Sequence, residues 1–332
     1  MTDSIETILA SLASERHDSR THFFALQALP NSTPPAISGR VLETSDLQAL
    51  RAALPPLADT SAVQVLRQPH NPILSVATNL TSLHREPSFL AEMLTQLVNG
   101  MQVELLFEQG RWCFVRQLDG YLGWAYRPCL TADPLPTATH LFTAVVEPLR
   151  AQPDPNAAIL TRVMAGTALA QWSEQGNWSE IEMSGGLRGW LPKQTLRSFA
   201  DIPSSPAQRR QQIASDAARM MGNPYLWGGS SANGIDCSGL AQLVHRWAGL
   251  TIPRDADMQC AAGRTVEPPF QSGDLLFFGE HGEQRSITHV GISLGGWQII
   301  HSSRSQNGVY CDDVQAVPHL KDSFLEAATF LA

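Results

Sequence analysis

The amino terminus lacks the basic segment and long apolar run that a secretory signal or a membrane span requires. Its first twenty residues read MTDSIETILASLASERHDSR, in which polar and acidic residues interrupt the apolar ones. The sequence therefore predicts a cytoplasmic protein without a membrane span.

Cysteine is also scarce, with five residues at positions 113, 129, 237, 260 and 311. An odd number without the spacing of a disulfide scaffold leaves at least one free thiol, which agrees with a reducing compartment. His281, His289 and His301 lie in one region with Cys260, but no His-x-x-His or Cys-x-x-Cys pair occurs. The sequence therefore predicts no metal site and no other cofactor.

Basic residues are in the minority, because 23 Lys and Arg face 31 Asp and Glu and the formal charge is -8. This balance argues against nucleic acid as a partner, since binding to phosphates needs a basic face. A hydrophobic content of 43% indicates a folded globular protein, and 332 residues favour two or three compact units. We predict three such units. The sequence leaves the oligomeric state of the protein open.

An internal repeat gives the clearest sign of organisation. Five markers recur at a constant displacement of 66 residues: Gly100, Gly110, Trp112, Gly123 and Trp124 return as Gly166, Gly176, Trp178, Gly189 and Trp190. Short strands separated by glycine turns lie between the markers, VELLF and CFV in the first copy and ALAQW and SEIEM in the second. Each copy is predicted to be a small all-β barrel with its tryptophans in the core.

Stretches rich in proline and small polar residues predict the domain boundaries, TADPLPTATH at 131–140 and FADIPSSP at 199–206. They separate residues 77–131, 141–198 and 207–332, and residues 1–76 precede the first of these predicted units. The first segment contains one plausible helix, SDLQALRAAL, and no motif with a recognisable role.

The last segment predicts an α+β fold, with two helices followed by an antiparallel meander. Ser205 and Pro206 have the pattern of an N-cap and a first helical residue, and Gly222 is a natural stop. A second helix should run from Asp236 and Cys237 to Gly249, with an apolar stripe of Leu240, Leu243, Val244 and Trp247. The strings DLLFF, HVGISL and WQIIH then predict three strands.

Cys237 is the candidate nucleophile because it follows the glycine-rich string GGSSANGID at the predicted start of a helix. Unpaired N–H groups and the helix dipole at this position favour a thiolate, so we expect a lowered thiol pKa. The candidate bases are His289 and His301, on two strands of one predicted hairpin. One imidazole could accept the thiol proton while the other orients it.

The loop of this hairpin decides whether the two histidines meet. A two-residue loop at 295–296 would put them on opposite faces of the sheet. A three-residue loop, Leu294-Gly295-Gly296, would pair Ser293 with Trp297 and place His289 directly opposite His301. We predict the three-residue loop.

The strings YLWGGSSANGIDCSGL, IPRDADMQ, SGDLLFF, THVGISLG and IIHSS resemble, in order and spacing, the NlpC family of papain-like cysteine peptidases, which cleave peptidoglycan stem peptides. The two repeats resemble bacterial SH3-like domains. The same order of domains is found in the branch of γ-D-glutamyl-L-diamino acid endopeptidases, which cut stem peptides with a free N-terminal L-alanine. The resemblance implies a small murein peptide as substrate, in cell-wall recycling.

The resemblance also implies roles for individual residues. Cys237 would attack the γ-glutamyl carbonyl, His289 would be the base, His301 the third polar residue, and Tyr225 would help to hold the oxyanion. Substrate binding is implied for Asp236 and Ser238 at the terminal ammonium, for Tyr121 and Glu92 of the first barrel, and for Arg254 facing the acidic substrate. Leu187 replaces the tyrosine in the second copy, and Ala256 stands where relatives often have serine.

Two other functions compete with this interpretation. The SH3-like copies could bind the wall or act as a scaffold beside a vestigial peptidase domain. The same Cys–His site could also carry out amidase or acyl-transfer chemistry, which only product analysis separates from peptidase action.

Overall fold

The structure is a computed structural model that describes residues 4–16, 18–30, 32–133, 137–282 and 286–331. Of the helices in these ranges, none combines the length and the apolar character needed to cross a membrane. Four folded units follow one another along the chain.

The amino-terminal unit is a small three-stranded sheet with two helices. Its elements are α1 (Ile5–Ser14), β1 (Phe24–Ala28), β2 (Ala36–Val41), α2 (Thr44–Ala53) and β3 (Asp59–Val65). β1 pairs with β2 antiparallel, and β2 pairs with β3 in parallel because α2 supplies the crossover between them. The predicted helix in this segment is confirmed as α2, while the unit as a whole is more regular than its sequence indicated.

The first repeat forms a seven-stranded antiparallel sheet. Its strands are β4 (Ile73–Val76), β5 (Leu80–His84), β6 (Met93–Val98), β7 (Gln102–Gln109), β8 (Trp112–Gln117), β9 (Leu122–Tyr126) and β10 (Leu130–Thr131). The order across the sheet is β10-β4-β7-β8-β9-β5-β6. This sheet already includes residue 73, ahead of the predicted boundary at 77.

The second repeat has the same topology 66 residues later. Its strands are β11 (His140–Phe142), β12 (Val146–Arg150), β13 (Ile159–Met164), β14 (Ala168–Gln175), β15 (Trp178–Glu182), β16 (Arg188–Pro192) and β17 (Leu196–Ser198). The order β17-β11-β14-β15-β16-β12-β13 repeats that of the first copy strand by strand. Among the described residues, the pairings leave edge strands in both copies and do not close a ring.

The tryptophans of the repeats are less buried than predicted. Only Trp124 is buried, while the rings of Trp112, Trp178 and Trp190 are partly exposed. Aliphatic side chains such as Val103 fill the cores instead. The predicted linker at 131–140 includes residues 134–136, which lie outside the described residues.

The last unit combines helices with a six-stranded antiparallel sheet. Its elements are α3 (Pro206–Arg219), β18 (Ser230–Ser231), β19 (Gly234–Ile235), α4 (Cys237–Trp247), α5 (Ala256–Ala262), β20 (Arg264–Val266), β21 (Leu275–Glu280), β22 (Ser286–Gly295), β23 (Gln298–Ser303), β24 (Gly308–Asp313), α6 (Pro318–Ser323) and β25 (Phe324–Thr329). The sheet order is β20-β25-β21-β22-β23-β24. This is the predicted α+β fold.

Both predicted helices of this unit are confirmed, as is the predicted N-cap at Ser205. The Ser205 side chain accepts the N–H of Gln208 at the start of α3, and the Asp236 side chain accepts the N–H of Gly239 at the start of α4. All four residues of the predicted apolar stripe on α4 are buried against the sheet. This packing fixes the position of the first residue of α4, which is Cys237.

Candidate active site

Cys237 occupies the first turn of α4, where it faces β22. The backbone N–H groups of Val290 and Ser238 lie close enough to the thiol to lower its pKa. Because Val290 directly follows His289, this contact brings the thiol next to the predicted base. The structure thus unites two residues that are 52 positions apart in the sequence.

The thiol pKa is shifted in the direction opposite to the predicted one. Burial, and after it the negative charge of Asp236, raises the pKa of Cys237 to about 12, while the two backbone N–H donors oppose the rise. The expectation of a lowered pKa is wrong for the resting protein, because it counted the helix terminus and not the cost of burying a negative charge. At neutral pH the thiol is protonated and needs a neighbouring base.

His289 and His301 form a hydrogen-bonded pair, with 2.8 Å between His289 Nε2 and His301 Nδ1. Burial lowers the pKa of each imidazole to about 4. Both rings are therefore neutral at neutral pH, the state in which an imidazole can accept a proton.

The hairpin that carries the two histidines differs in detail from the predicted one. Ser293 pairs with Ile299, not with Trp297, so the predicted loop is wrong. The odd residue is a bulge at Leu294, and a two-residue turn at 296–297 follows. Because the bulge adds one residue just as a three-residue loop would, the histidines still share a face, although as diagonal neighbours and not directly opposite each other.

Asp312 on β24 extends the pair to a chain of three side chains, with 3.2 Å between its Oδ2 and His301 Nε2. An ionised carboxylate only accepts, so it assigns the proton of His301 to Nε2 and makes Nδ1 an acceptor. His289 must then carry its proton on Nε2, which leaves its Nδ1 unprotonated. Sequence reasoning missed Asp312, although the alternating string GVYCDD after the His301 strand indicated a further strand of the meander.

Tyr225 lies beside the thiol at the mouth of the site. Burial raises its pKa, with Cys237 and Asp236 adding to the effect, so the hydroxyl stays protonated and can donate. The guanidinium carbon of Arg304 lies 5.5 Å from the ring centroids of both Tyr225 and Trp227. Sequence reasoning did not identify Arg304, because it stands in a polar turn without a motif.

Asp236, Ser238 and Arg254 form one buried network beside Cys237. Arg254 donates to both carboxylate oxygens of Asp236, at 3.0 and 2.7 Å, and to Ser238 Oγ at 2.8 Å. Its Nε donates to Thr95 of the first repeat at 2.9 Å. Arg254 is only 1% exposed, so its charge holds Asp236 and does not face solvent. Its predicted contact with the substrate remains a prediction.

The first repeat supplies Tyr121, which is only 2% exposed. Its hydroxyl donates to Asp255 Oδ2 at 2.9 Å, and Arg20 of the amino-terminal unit donates to the same oxygen at 3.0 Å. Arg20 also pairs with Asp18 and Asp257. Sequence reasoning missed Arg20 and Asp255, since nothing in the uninterpreted first segment indicated that it reaches the catalytic unit.

Glu92 lies at the rim, where its carboxylate accepts the indole N–H of Trp227 at 3.0 Å and pairs with Arg85 at 2.7 Å. Burial raises the pKa of Glu92, but these two hydrogen bonds outweigh it and the net shift is downward. Glu92 therefore lies near the site mouth as a charged side chain that protein donors already occupy.

The loop that carries Trp227 packs closely on β6 of the first repeat. A Cβ at Gly228, whose φ is +73°, would lie 2.3 Å from the carbonyl oxygen of Met93. Gln96 accepts the N–H of Ser230 at 3.1 Å and the hydroxyl of Ser231 at 2.7 Å. The first repeat is thus a wall of the site.

Matches to protein-family models agree with this arrangement. Residues 222–327 match the NlpC/P60 family, residues 83–125 the bacterial dipeptidyl-peptidase Sh3 domain, and residues 144–198 the bacterial SH3 domain. A helix-borne thiol beside a pair of strand-borne imidazoles is the chemistry of a cysteine peptidase, and this is the class of the protein. The chain belongs to the NlpC/P60 family.

Several curated proteins are similar over most of the chain. A gamma-D-glutamyl-L-lysine dipeptidyl-peptidase from Bacillus cereus is 31% identical over 232 residues, which cover 65% of this chain and 68% of that protein. Dipeptidyl-peptidase 6 from Lysinibacillus sphaericus is 26% identical, with coverages of 70% and 89%. The crystal structure of an NlpC/P60 family protein from Bacillus cereus superposes with a TM-score of 0.69 at 23% identity, covering 78% of this chain and all of that one, which supports the fold.

Proposed function

We propose that the protein hydrolyses the bond between γ-D-glutamate and the following diamino acid in peptidoglycan stem peptides that have a free N-terminal L-alanine. The observation that carries the proposal is the cluster of acidic side chains that the first repeat and the amino-terminal unit help to hold next to Cys237. Two curated relatives, from Bacillus cereus and Bacillus subtilis, bear the name gamma-D-glutamyl-L-lysine dipeptidyl-peptidase, which supports the same bond.

The ion-pair cluster next to Cys237 holds more acidic than basic side chains. Four carboxylates share two guanidinium groups there: Asp18, Asp236, Asp255 and Asp257 with Arg20 and Arg254. The surplus of negative charge favours a ligand that carries an ammonium group. A peptide with a blocked amino terminus lacks this group and would leave the surplus uncompensated.

Asp255 is the better placed of the acidic residues to accept the ammonium. The oxygens of Asp236 already accept two backbone N–H groups and Arg254. Asp255 uses only Oδ2, for Tyr121 and Arg20, and within the described residues no side chain or backbone group donates to its Oδ1. Asp236 and Ser238 then contribute as the charged and polar floor of the pocket, and Glu92 contributes negative charge at the rim.

The chemistry follows from the tautomers of the two histidines. His289 Nδ1 takes the proton of Cys237 as the sulfur attacks the γ-carbonyl carbon, and Tyr225 donates to the developing oxyanion. His289 then returns the proton to the leaving amine of the diamino acid. Water hydrolyses the resulting thioester, again with His289 as base. His301 and Asp312 hold the ring of His289 in the required orientation throughout.

The test is a defined panel of stem peptides analysed by mass spectrometry. The panel contains L-Ala-γ-D-Glu-L-Lys and its diaminopimelate counterpart, each with a free and with an acetylated amino terminus. We expect release of the dipeptide L-Ala-γ-D-Glu from the free peptides. The acetylated peptides should have a kcat/KM at least about tenfold lower, because they lose an ammonium–carboxylate contact.

Two variants assign the activity to the site. Cys237→Ala should lose at least about a thousandfold in kcat. Cys311→Ala removes an exposed thiol from β24 and should retain the wild-type rate. Equal rates on free and acetylated peptides would refute the ammonium pocket, and cleavage by Cys237→Ala would refute the nucleophile.

The competing functions predict other products. A scaffold with a vestigial site would give no turnover of any peptide, yet the unbroken chain from His289 to Asp312 favours an active site. Because burial raises the pKa of Cys237, slow alkylation of the thiol at mildly acidic pH does not separate these cases, whereas turnover does. An acyl transferase would transfer the peptide to an added amine faster than to water.

We also propose that the protein acts in the cytoplasm, on fragments released during cell-wall recycling. The support is the pocket for a free amino terminus, which intact cross-linked wall offers rarely, and the absence of disulfides, since all five cysteines are free. Cell fractionation with an antibody against the native protein tests the location. Recovery from the culture medium or the wall fraction would contradict it.

A further inference from the structure

A cavity of about 300 Å³ lies where both repeats meet the catalytic unit. Its walls are largely apolar and come from three units: Met101 and Leu118 from the first repeat, Leu141 from the second, and Leu250 and Ile252 from the catalytic unit. Arg246 of α4 lines it, nine residues or about 13 Å along the helix from Cys237. The cavity is therefore separate from the proposed reaction site.

The guanidinium of Arg246 has few partners for a partly buried cation. Its Nη1 contacts the sulfur of Met101 at 3.5 Å, a weak acceptor, and its buried Nε finds no acceptor within the described residues. The side-chain N–H₂ of Gln117, which lines the same cavity, is also buried and without an acceptor among those residues. Burial lowers the pKa of Arg246, as expected for a poorly compensated charge.

The backbone next to Arg246 keeps this space open. A Cβ at Gly166, whose φ is +89°, would lie 2.7 Å from Arg246 Nη2 and 2.9 Å from Leu243. Any other residue at this position would push into the guanidinium. The absence of a side chain at Gly166 therefore leaves room for the guanidinium at the wall of the cavity.

Asp119 brings the opposite charge to the same cavity. Its carboxylate accepts the N–H of Tyr121 at 3.0 Å and the amide of Gln242 at 3.1 Å. Burial raises the pKa of Asp119, while the hydrogen bonds from Tyr121 and Gln242 and then the charges of Arg254 and Arg246 act against that rise. Within the described part of the chain the contacts of the two side chains include no ion pair between them, so the opposite charges line one largely apolar cavity without meeting.

A ligand that satisfies this cavity must carry both charges and an apolar body. Arg246 would attract a simple anion and Asp119 would repel it. Asp119 would attract a simple cation and Arg246 would repel it. We propose that the cavity binds a zwitterionic amino acid with an apolar side chain, its carboxylate on Arg246 and Gln117 and its ammonium on Asp119.

Asp119 links this cavity to the site at which we propose that substrate binds. Asp119 accepts the backbone N–H of Tyr121, and the hydroxyl of Tyr121 donates to Asp255. A bound amino acid would fix the position of Asp119 and thereby that of Tyr121. This ordering should lower KM for the peptide substrate and leave kcat unchanged. This coupling rests on the proposed function, whereas binding itself does not.

Isothermal titration calorimetry on the full chain with Cys237→Ala tests the binding. L-leucine and L-methionine should bind, and L-leucine amide and N-acetyl-L-leucine, which each lack one charge, should bind at least about tenfold more weakly. Arg246→Met and Asp119→Asn should each weaken L-leucine by a similar factor. Arg162→Met, on the surface of the second repeat, should have no effect.

Gln117→Leu serves as a second cavity variant should Arg246→Met melt below the temperature of the titration. Absence of amino acid binding to the parent, or a crystal soaked in L-leucine that contains only water in the cavity, would overturn the proposal. Binding that Asp255→Asn abolishes while Arg246→Met and Gln117→Leu leave it intact would also overturn it, because the amino acid would then occupy the substrate pocket.

Discussion

The two SH3-like repeats have the same strand order, yet they meet the catalytic unit in different ways. In the first, Tyr121 is buried and hydrogen-bonded to Asp255. At the equivalent position of the second, 66 residues later, Leu187 is 38% exposed. The same fold therefore contributes a polar wall to the site in one copy and an uninvolved surface in the other.

The second repeat is attached instead by a buried ion pair at some distance from the thiol. Arg197 donates to both oxygens of Asp216 on α3, at 2.8 and 2.7 Å, and Asp216 is fully buried. The polar residues that the first repeat uses at the site, Gln96 and Tyr121, correspond to Arg162 and Leu187 here. The first copy therefore contributes side chains to the site, and the second copy stabilises the packing of the units within the chain.

The largest expected effect comes from breaking the attachment of the second repeat. Arg197→Met leaves Asp216 buried without its main partner, so the free energy of unfolding should fall by about 3 kcal/mol. This value is at the low end of the cost of breaking a buried ion pair, because Gln212 still donates to Asp216. Its kcat/KM at 25 °C should stay within about twofold of the wild type, as for a site remote from the chemistry. Denaturant unfolding and steady-state kinetics measure both. Arg162→Met is the control.

If Arg197→Met lowered kcat/KM as strongly as a change in the first repeat, the division of roles between the two copies would be wrong.

The next effect comes from giving the first repeat the residue of the second. Tyr121→Leu removes a hydrogen bond to a carboxylate, so kcat/KM should fall about 10- to 100-fold, mainly through KM. Tyr121→Phe should reproduce most of the loss, because it removes only the hydroxyl. Leu187→Tyr is the matched change in the second repeat and should leave the kinetics unaltered. A loss in Leu187→Tyr equal to that in Tyr121→Leu would show that the repeats are not divided in this way.

The sequence predicted those features that local chemistry determines. The caps at Ser205 and Asp236 define where α3 and α4 begin, and the apolar stripe of α4 orients Cys237. The repeat was visible because glycine turns and tryptophans recur at a fixed interval. That the two histidines share a face of the sheet followed from the alternation of side chains along strands. One additional residue in the hairpin gives this result whether it lies in the loop or in a bulge.

Features that depend on contacts between distant units could not be predicted. Arg20 reaches Asp255 across 235 positions, and no local pattern encodes that ion pair. The thiol pKa was misjudged for the same reason, since the burial of Cys237 comes from the packing of α4 under β22. Asp312 was missed because its role depends on the register of β24 against β23, which places it diagonal to His301.

The smallest expected effect is on the pH dependence of kcat/KM. It distinguishes residues that position the substrate from residues that take part in proton transfer. The pKa values of His289 and His301 are lowered to about 4, so the imidazole pair is neutral above that pH, and kcat/KM should fall as the pH drops through about 4. Tyr121→Leu should lower the whole profile without moving this limb, because the tyrosine takes no part in proton transfer. Asp312→Asn should move the limb to lower pH, since Asp312 raises the pKa of His301, and should reduce kcat about fivefold. Initial rates from pH-jump assays measure the limb, and a shift in Tyr121→Leu equal to that in Asp312→Asn would contradict a purely positioning role for the first repeat.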